Sequence, residues 1–374
     1  MDRCRACVQT VRLYRITVAV CVSAFVGVLV FVLAPPPNPC AGYEDNAPVV
    51  SPVDDRVHAS PWNFTNRLHF AGDALVPRPL EIGLCSTEMI VARGESRPPI
   101  HCPAHGFGFR PTPLTLFEGV LFNTELDMLE AHLEESYPAV DAFVVVESAY
   151  TFQGHAKPLV FQNNLRRYAK FRDKLVHTVL PSRHDNEFQQ ERDMRNAIAA
   201  TLTALNVSRS SVLIIADADE ITSLEQLWVV KFCDVPTEGT FRLKFFYYSL
   251  HWRHSNNWFA VHWMPLSLIT ADRHPDMLRF SFAGTYPFIL PDAGWHCSYF
   301  GDEAFIANKL HSFAPGTDAY KGPPYDQPGY IRCVIRRGMD LFLRSNEQLL
   351  YVKDVDGPWA FHGVPWLRKA FLLW

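Results

Sequence analysis

A chain of 374 residues, 48% apolar and 20% charged, has the composition of a globular protein with a large buried core, not of a disordered or fibrous one. Its formal charge of −4 and pI near 6.4 provide no basic field for wrapping nucleic acid, so no nucleic-acid partner is expected.

Residues 16–34 form an uncharged apolar run about as long as the ~20 residues that cross a bilayer. Arg3, Arg5, Arg12 and Arg15 precede it, opposed only by Asp2. The positive-inside bias therefore predicts a cytoplasmic tail over residues 1–15, a signal-anchor helix over 16–34 and type II topology. The competing reading is a cleaved signal peptide ending near Ala34. It fits less well, because Pro35, Pro36 and Pro37 follow at once and the run exceeds the ~7 to 15 residues of a signal core. Either reading sends the body out of the cytosol. Cys40, Cys85, Cys102, Cys233, Cys297 and Cys333 follow the span and could pair as three disulfides in that oxidising compartment, by a connectivity that sequence leaves open. The sequons at Asn63 and Asn206 agree mildly with it.

Fourteen of the 28 prolines lie between Pro35 and Pro113, and residues 35–112 read as a Pro-rich stem whose last part, from about Ile82, could fold against the body. From residue 113 to 374 strand-like apolar runs alternate with helical patterns, which predicts an α/β domain on a mostly parallel central sheet. Strands are expected at 115–122, 140–146, 174–180 and 212–215. Leu126, Leu129, Glu130 and Leu133 have helical spacing, and Met194, Ile198, Leu202 and Leu205 predict a helix over 186–205.

The fourth strand runs straight into Ala216-Asp-Ala-Asp-Glu-Ile221. In an extended segment Asp217 and Asp219 project to one side, just beyond the carboxyl end of a central strand, where open α/β sheets place their ligands. Two carboxylates there suit Mg²⁺ or Mn²⁺, whose remaining positions go to water and the phosphates of a nucleotide diphosphate. By composition alone roughly one Asp-x-Asp arises in such a chain, and the same residues could instead serve a turn or a helix cap. Glu220 could join the site or cap the next element. The metal reading requires both carboxylates to face a cavity and to be unclaimed by neighbouring bases.

Residues 245–263 read FFYYSLHWRHSNNWFAVHW. Such rings stack on the C–H faces of sugars, which makes Tyr248, Trp252 and Trp258 candidates for acceptor binding, although many rings in the stretch must be core. His251, His254 and His262 lack the partners of a zinc site.

Five blocks, FNTELDMLEAHLEE, VDAFVVVESAYTFQGHAKPL, VLIIADADEI, DAGWHCSYF and GYIRCVIRRGMDLF, together resemble glycosyltransferase family 17 over about 117–344. The resemblance implies a GT-A-type, Rossmann-like fold, a UDP-sugar donor such as UDP-GlcNAc, a Mn²⁺-type cofactor and inverting transfer of N-acetylglucosamine to a mannose of an N-glycan on a glycoprotein, in a β-1,4, bisecting-type linkage in the Golgi. By motif position Asp217 and Asp219 would bind the metal. His296 would be a third ligand or a buried, hydrogen-bonded histidine, and Trp295 packing or a sugar platform. Glu147 would face the donor or simply be solvated. Arg192 and Arg195 would clamp diphosphate, unless Arg195 only pairs with Glu191 at i, i+4. An inverting displacement also needs a base, for which Asp292, Asp302 and Glu303 are candidates. A membrane-anchored lumenal lectin, a metal-dependent hydrolase, or a transferase using another UDP-sugar and acceptor are the alternatives; a lectin would have no use for Asp217 and Asp219.

Overall fold

The computed structural model describes residues 39–40, 100–181, 183, 187–279, 288–312, 322–345 and 347–372. The segment at 16–34 and most of the stem lie outside the described residues; among the described residues no helix is long and apolar enough to cross a membrane.

The core begins with β1 (Leu116–Phe122), α1 (Leu126–Ser136) and β2 (Ala142–Ser148). Both strands are buried along their whole length, as expected of strands covered on both faces. The second starts and ends two residues later than its apolar run predicts, which places Glu147 inside the strand. A short helix α2 (Val160–Asn163), β3 (Leu175–Leu180), the long helix α3 (Glu187–Ala204) and β4 (Val212–Asp217) complete this half. The order β3-β2-β1-β4 is parallel throughout. Met194, Ile198 and Leu202 of α3 pack on one face against Phe117, Val144 and Leu213; Leu129 and Leu133 of α1 pack on the other with Val120, Val145 and Ile214. At Gly119 the backbone of β1 touches α3 so closely that a Cβ would lie 2.3 Å from Ile198 Cγ2.

Beyond β4 the expectation of a mostly parallel sheet fails. β5 (Glu220–Thr222) and α4 (Leu224–Phe232), capped by the Ser223 hydroxyl, lead into β6 (Gly239–Tyr247) and the 14-residue β7 (Trp252–Pro265). β7 lies antiparallel to both β4 and β6. After α5 (Pro275–Arg279) come β8 (Ile289–Leu290) and β9 (Gly294–Ser298); β9 runs parallel to β6 and antiparallel to β5. The result is one mixed sheet, ten-stranded among the described residues. The parallel order ends where a hairpin inserts β7 beside β4, because antiparallel neighbours need only a tight connection and no crossover helix.

The chain closes with α6 (Glu303–Leu310), α7 (Pro328–Arg337), β10 (Leu349–Tyr351), α8 (Trp359–Gly363) and α9 (Pro365–Leu372). Phe361, Leu367 and Phe371 bury against Trp295 and Phe300. The residues just before β1 pack onto α4 and the residue that follows it: Arg110 and Leu114 donate backbone hydrogen bonds to Phe232 and Lys231, and Cys102 is disulfide-bonded to Cys233. Cys40 and Cys333 are half-cystines as well. Cys297, in contrast, is a free buried thiol and takes part in none of the expected disulfides.

Candidate active site

β4 ends at Asp217, and the chain turns through Ala218 and Asp219 into β5. The turn is held from several sides. The Asp217 amide donates to the Glu220 carboxylate at 2.8 Å, and the Cys297 amide donates to the Asp219 carbonyl at 2.8 Å. His132 Nδ1, from α1 beneath the turn, donates to the Ala218 carbonyl at 3.2 Å.

The β5–β9 pairing sets Glu220 directly opposite His296, and β6 lies on the far side of β9, with Phe245 opposite the same histidine. Residues 76 positions apart in sequence therefore share one spot, and His296 Nε2 lies 3.8 Å from Asp219 Oδ1. Its ring is stacked on Phe245 at 4.6 Å and 11° and is covered by Trp258 at 4.3 Å. Burial pushes the His296 pKa down, against the pull of Asp219 and Glu220, so the imidazole is neutral at neutral pH and able to coordinate. Its Nδ1 is buried without a hydrogen-bond partner. Trp258 donates its indole N–H to Glu220.

Three cations occupy the same turn. Arg279, at the end of α5, bonds Asp217 at 2.6 Å and also Glu220. Burial alone would lower its pKa, but the charges of Asp217 and Glu220 outweigh this and raise it. Lys309, on α6, bonds Asp219 at 2.6 Å. Burial would raise the pKa of Asp219, yet the charge and hydrogen bond of Lys309 hold it below the usual carboxylate range. Arg195 reaches Asp217 at 3.4 Å while also pairing with Glu191 and Asp276; the i, i+4 pair and the reach toward the strand end coexist. The requirement that the two carboxylates be unclaimed by bases is thus not met in this state, since each is engaged by at least one.

Among the described residues no three His, Cys, Asp or Glu side chains converge into a preformed metal cage. The donor chemistry nevertheless fits a hard divalent ion: two carboxylates at a strand end and a neutral imidazole whose Nε2 faces one of them. Mg²⁺ and Mn²⁺ commonly take only one or two protein carboxylates and complete their shell with substrate phosphate.

Other expected site residues lie elsewhere. Glu147 is fully buried, and its two oxygens accept the Phe161 and Gln162 amides at 2.8 and 3.1 Å, with His177 at 3.3 Å. It secures the start of α2 and presents no oxygen to a donor. Arg192 turns to Asp276 at 3.5 Å and not to the turn. Asp302 is the N-cap of α6, accepting from the Phe305 amide at 2.8 Å; seven residues of helix set it about 10 Å from Lys309. Glu303 pairs with Arg332 at 2.7 Å. Asp292, exposed and 3.4 Å from Arg242, is four residues from His296, about 13 Å along extended chain. None of the three base candidates touches the carboxylate turn. Tyr248 is buried, with its hydroxyl donating to the Met339 carbonyl at 2.9 Å, and Trp252 packs so close to Gly338 that a Cβ there would lie 2.1 Å from its ring, so of the three acceptor candidates only Trp258 stands at the turn. Trp295 is core.

Reading the sequence missed Arg279, Lys309 and the buried pair of Glu118 with His132. One signal for Lys309 was present: it shares the buried stripe of α6 with Ile306 and Leu310, an unusual place for a lysine without a partner.

Beta-1,4-mannosyl-glycoprotein 4-beta-N-acetylglucosaminyltransferases from rat and human are each 27% identical to the chain over 261 residues, 61% of its length and 48% and 49% of theirs; the chain spans about half the length of these curated relatives. Among solved structures, the mannosyltransferase PcManGT from Pyrobaculum calidifontis in complex with GDP-Man and Mn²⁺ aligns over 78% of this chain and 81% of its own at 11% identity. Its TM-score of 0.32 is too low for that likeness to carry an argument. Residues 92–354, which include every element of the carboxylate turn, match the signature of Glycosyltransferase family 17, and the chain belongs to that family.

Proposed function

We propose that the chain is an inverting, divalent-metal-dependent glycosyltransferase with a GT-A-type fold that transfers N-acetylglucosamine from UDP-GlcNAc to a mannose of an N-glycan in a β-1,4, bisecting-type linkage. The observation that carries this reading is the Asp217–Asp219 turn at the carboxyl end of β4, facing His296, within a family 17 match. The names of the relatives support the donor sugar and the mannose acceptor.

In this reading Asp217, Asp219 and His296 hold Mn²⁺ or Mg²⁺, which when bound neutralises charge on the departing diphosphate. Arg195, Arg279 and Lys309 add fixed positive charge around the same spot, in a site buried enough for such charges to act strongly. Trp258, held by Glu220 and packed against His296, offers a rigid face for a sugar ring. Residues 1–15 are cytoplasmic, 16–34 anchor the chain as a type II Golgi membrane protein, and the body from 113 to 374 is lumenal. The disulfide between Cys102 and Cys233 and the exposed sequon at Asn206 support an oxidising, glycosylating compartment.

Asp219→Asn, which keeps an oxygen facing Lys309, is expected to abolish transfer to an N-glycan library, read by mass spectrometry, in a chain that still unfolds cooperatively. Full activity of that variant in excess Mn²⁺ overturns the site. UDP binding with and without Mn²⁺ tests the class of activity: a lectin binds no UDP, and a hydrolase has little preference for it.

A further inference from the structure

Lys309 has an unusual position. It projects from the buried stripe of α6, its side chain is 4% exposed, and its ammonium lies 2.6 Å from Asp219 Oδ2 and 3.7 Å from Glu125 Oε1. Asp219 stands between this ammonium and the uncharged imidazole of His296, 3.8 Å from its other oxygen, and the His296 Nδ1 is buried without a partner. The carboxylate that would bind a divalent ion is thus already held by a cation of the protein itself. A buried ammonium stripped of its carboxylate is strongly unfavourable unless another anion replaces it. Glu125 lies to one side at ion-pair range, and the donor's diphosphate is the other anion that the reaction brings to this turn.

We infer that Lys309 is the resident counter-cation of Asp219: it competes with the divalent ion for that carboxylate and turns to the donor's diphosphate when the ion binds. This rests on the metal-dependent transferase reading. Its consequence is that ion and nucleotide bind as a coupled pair. Ion alone moves Lys309 off its 2.6 Å partner and leaves it to Glu125, at 3.7 Å, whereas nucleotide brings a diphosphate to receive the ammonium. By reciprocity each ligand tightens the other by the same factor, typically about 5- to 150-fold.

The test is Mn²⁺ binding to the full chain, followed by the paramagnetic resonance of the free aquo ion, with and without UDP. Wild type is expected to bind Mn²⁺ weakly alone and at least about fivefold more tightly with UDP. Lys309→Met is expected to bind Mn²⁺ alone about tenfold more tightly, to bind UDP alone more weakly, and to lose most of the coupling. Lys309→Arg, which keeps the charge, retains it. A folded Lys309→Met chain with unchanged or weaker affinity for Mn²⁺ alone overturns the inference. So does a wild-type Mn²⁺ affinity that UDP leaves unchanged, whether or not the variant folds. Mn²⁺ binding that ignores Lys309 defeats this inference only; absence of Mn²⁺ binding to every form at saturating UDP defeats the metal-dependent reading with it.

Discussion

Glu118 of β1 and His132 of α1 are both fully buried, and His132 Nε2 lies 3.0 Å from Glu118 Oε1. Burial alone would push the His132 pKa down, but the charge and hydrogen bond of Glu118, the Ala218 carbonyl and Glu220 together outweigh it and raise the ring above its ordinary range. The opposite ring nitrogen carries the Ala218 carbonyl, between the two site carboxylates. His132→Leu removes the partner of a buried carboxylate, a change that costs about 3–5 kcal/mol. For a body of this size that corresponds to a melting temperature lower by about 6–20 °C, at about 2–4 °C per kcal/mol for large domains. Glu118→Leu combined with His132→Leu replaces the pair with apolar volume and should recover most of that loss, since buried pairs and well-packed apolar substitutes are often close in stability. It does not restore the bond to Ala218. The double variant is therefore expected to melt near wild type while its KM for donor rises several-fold, separating the stability of the pair from its hold on the turn. Differential scanning fluorimetry and donor kinetics on the four chains of this cycle measure both. If His132→Leu melts within about 2 °C of wild type, or the double variant loses as much as the two single losses added, the pair is not a coupled unit and the reasoning fails.

Gly119→Ala places a methyl group on Ile198 and should cost about 1–3 kcal/mol through overpacking; Ile198→Ala removes all three crowding atoms, so the double variant is expected to lose less than the two singles added, as thermal unfolding would reveal. His262 and His132, both buried, should bend the pH profile of stability in opposite senses. Burial, helped by the charge of Arg279, lowers His262 to about 3, so its contribution is complete above its unfolded pKa near 6.5 and is lost as pH falls toward 3, by up to about 1.4 kcal/mol per pH unit. His132, raised, contributes fully below 6.5 and loses that contribution as pH rises through its folded pKa. Melting curves from pH 4 to 9 should therefore be less steep on the acid side for His262→Gln and altered on the alkaline side for His132→Gln; an unchanged acid limb in the first variant would contradict this assignment.

The strands at 116–122 and 212–217 and the helix at 187–204 were legible because their signals are local. A continuous apolar run fits a strand covered on both faces, and residues at i, i+4 and i+8 fall on one helical face. The Asp217–Asp219 turn could be placed at the tip of β4 by the same means, and the blocks around it pointed to the family that residues 92–354 match. What a carboxylate does once placed was not legible. Glu147 and Asp302 had the right chemistry for a site, yet one secures α2 and the other caps α6, because a backbone amide came within reach of each. Asp217 and Asp219 are governed by Arg279 and Lys309, 62 and 90 residues further on, and His296 joins them only through the β5–β9 ladder. Periodicity sees a few residues either side of a position and so can decide an element and its buried face. The partner of a buried charge is chosen across the fold, by whichever group the packing of distant elements brings within 3 to 4 Å, and only the tertiary structure holds that information.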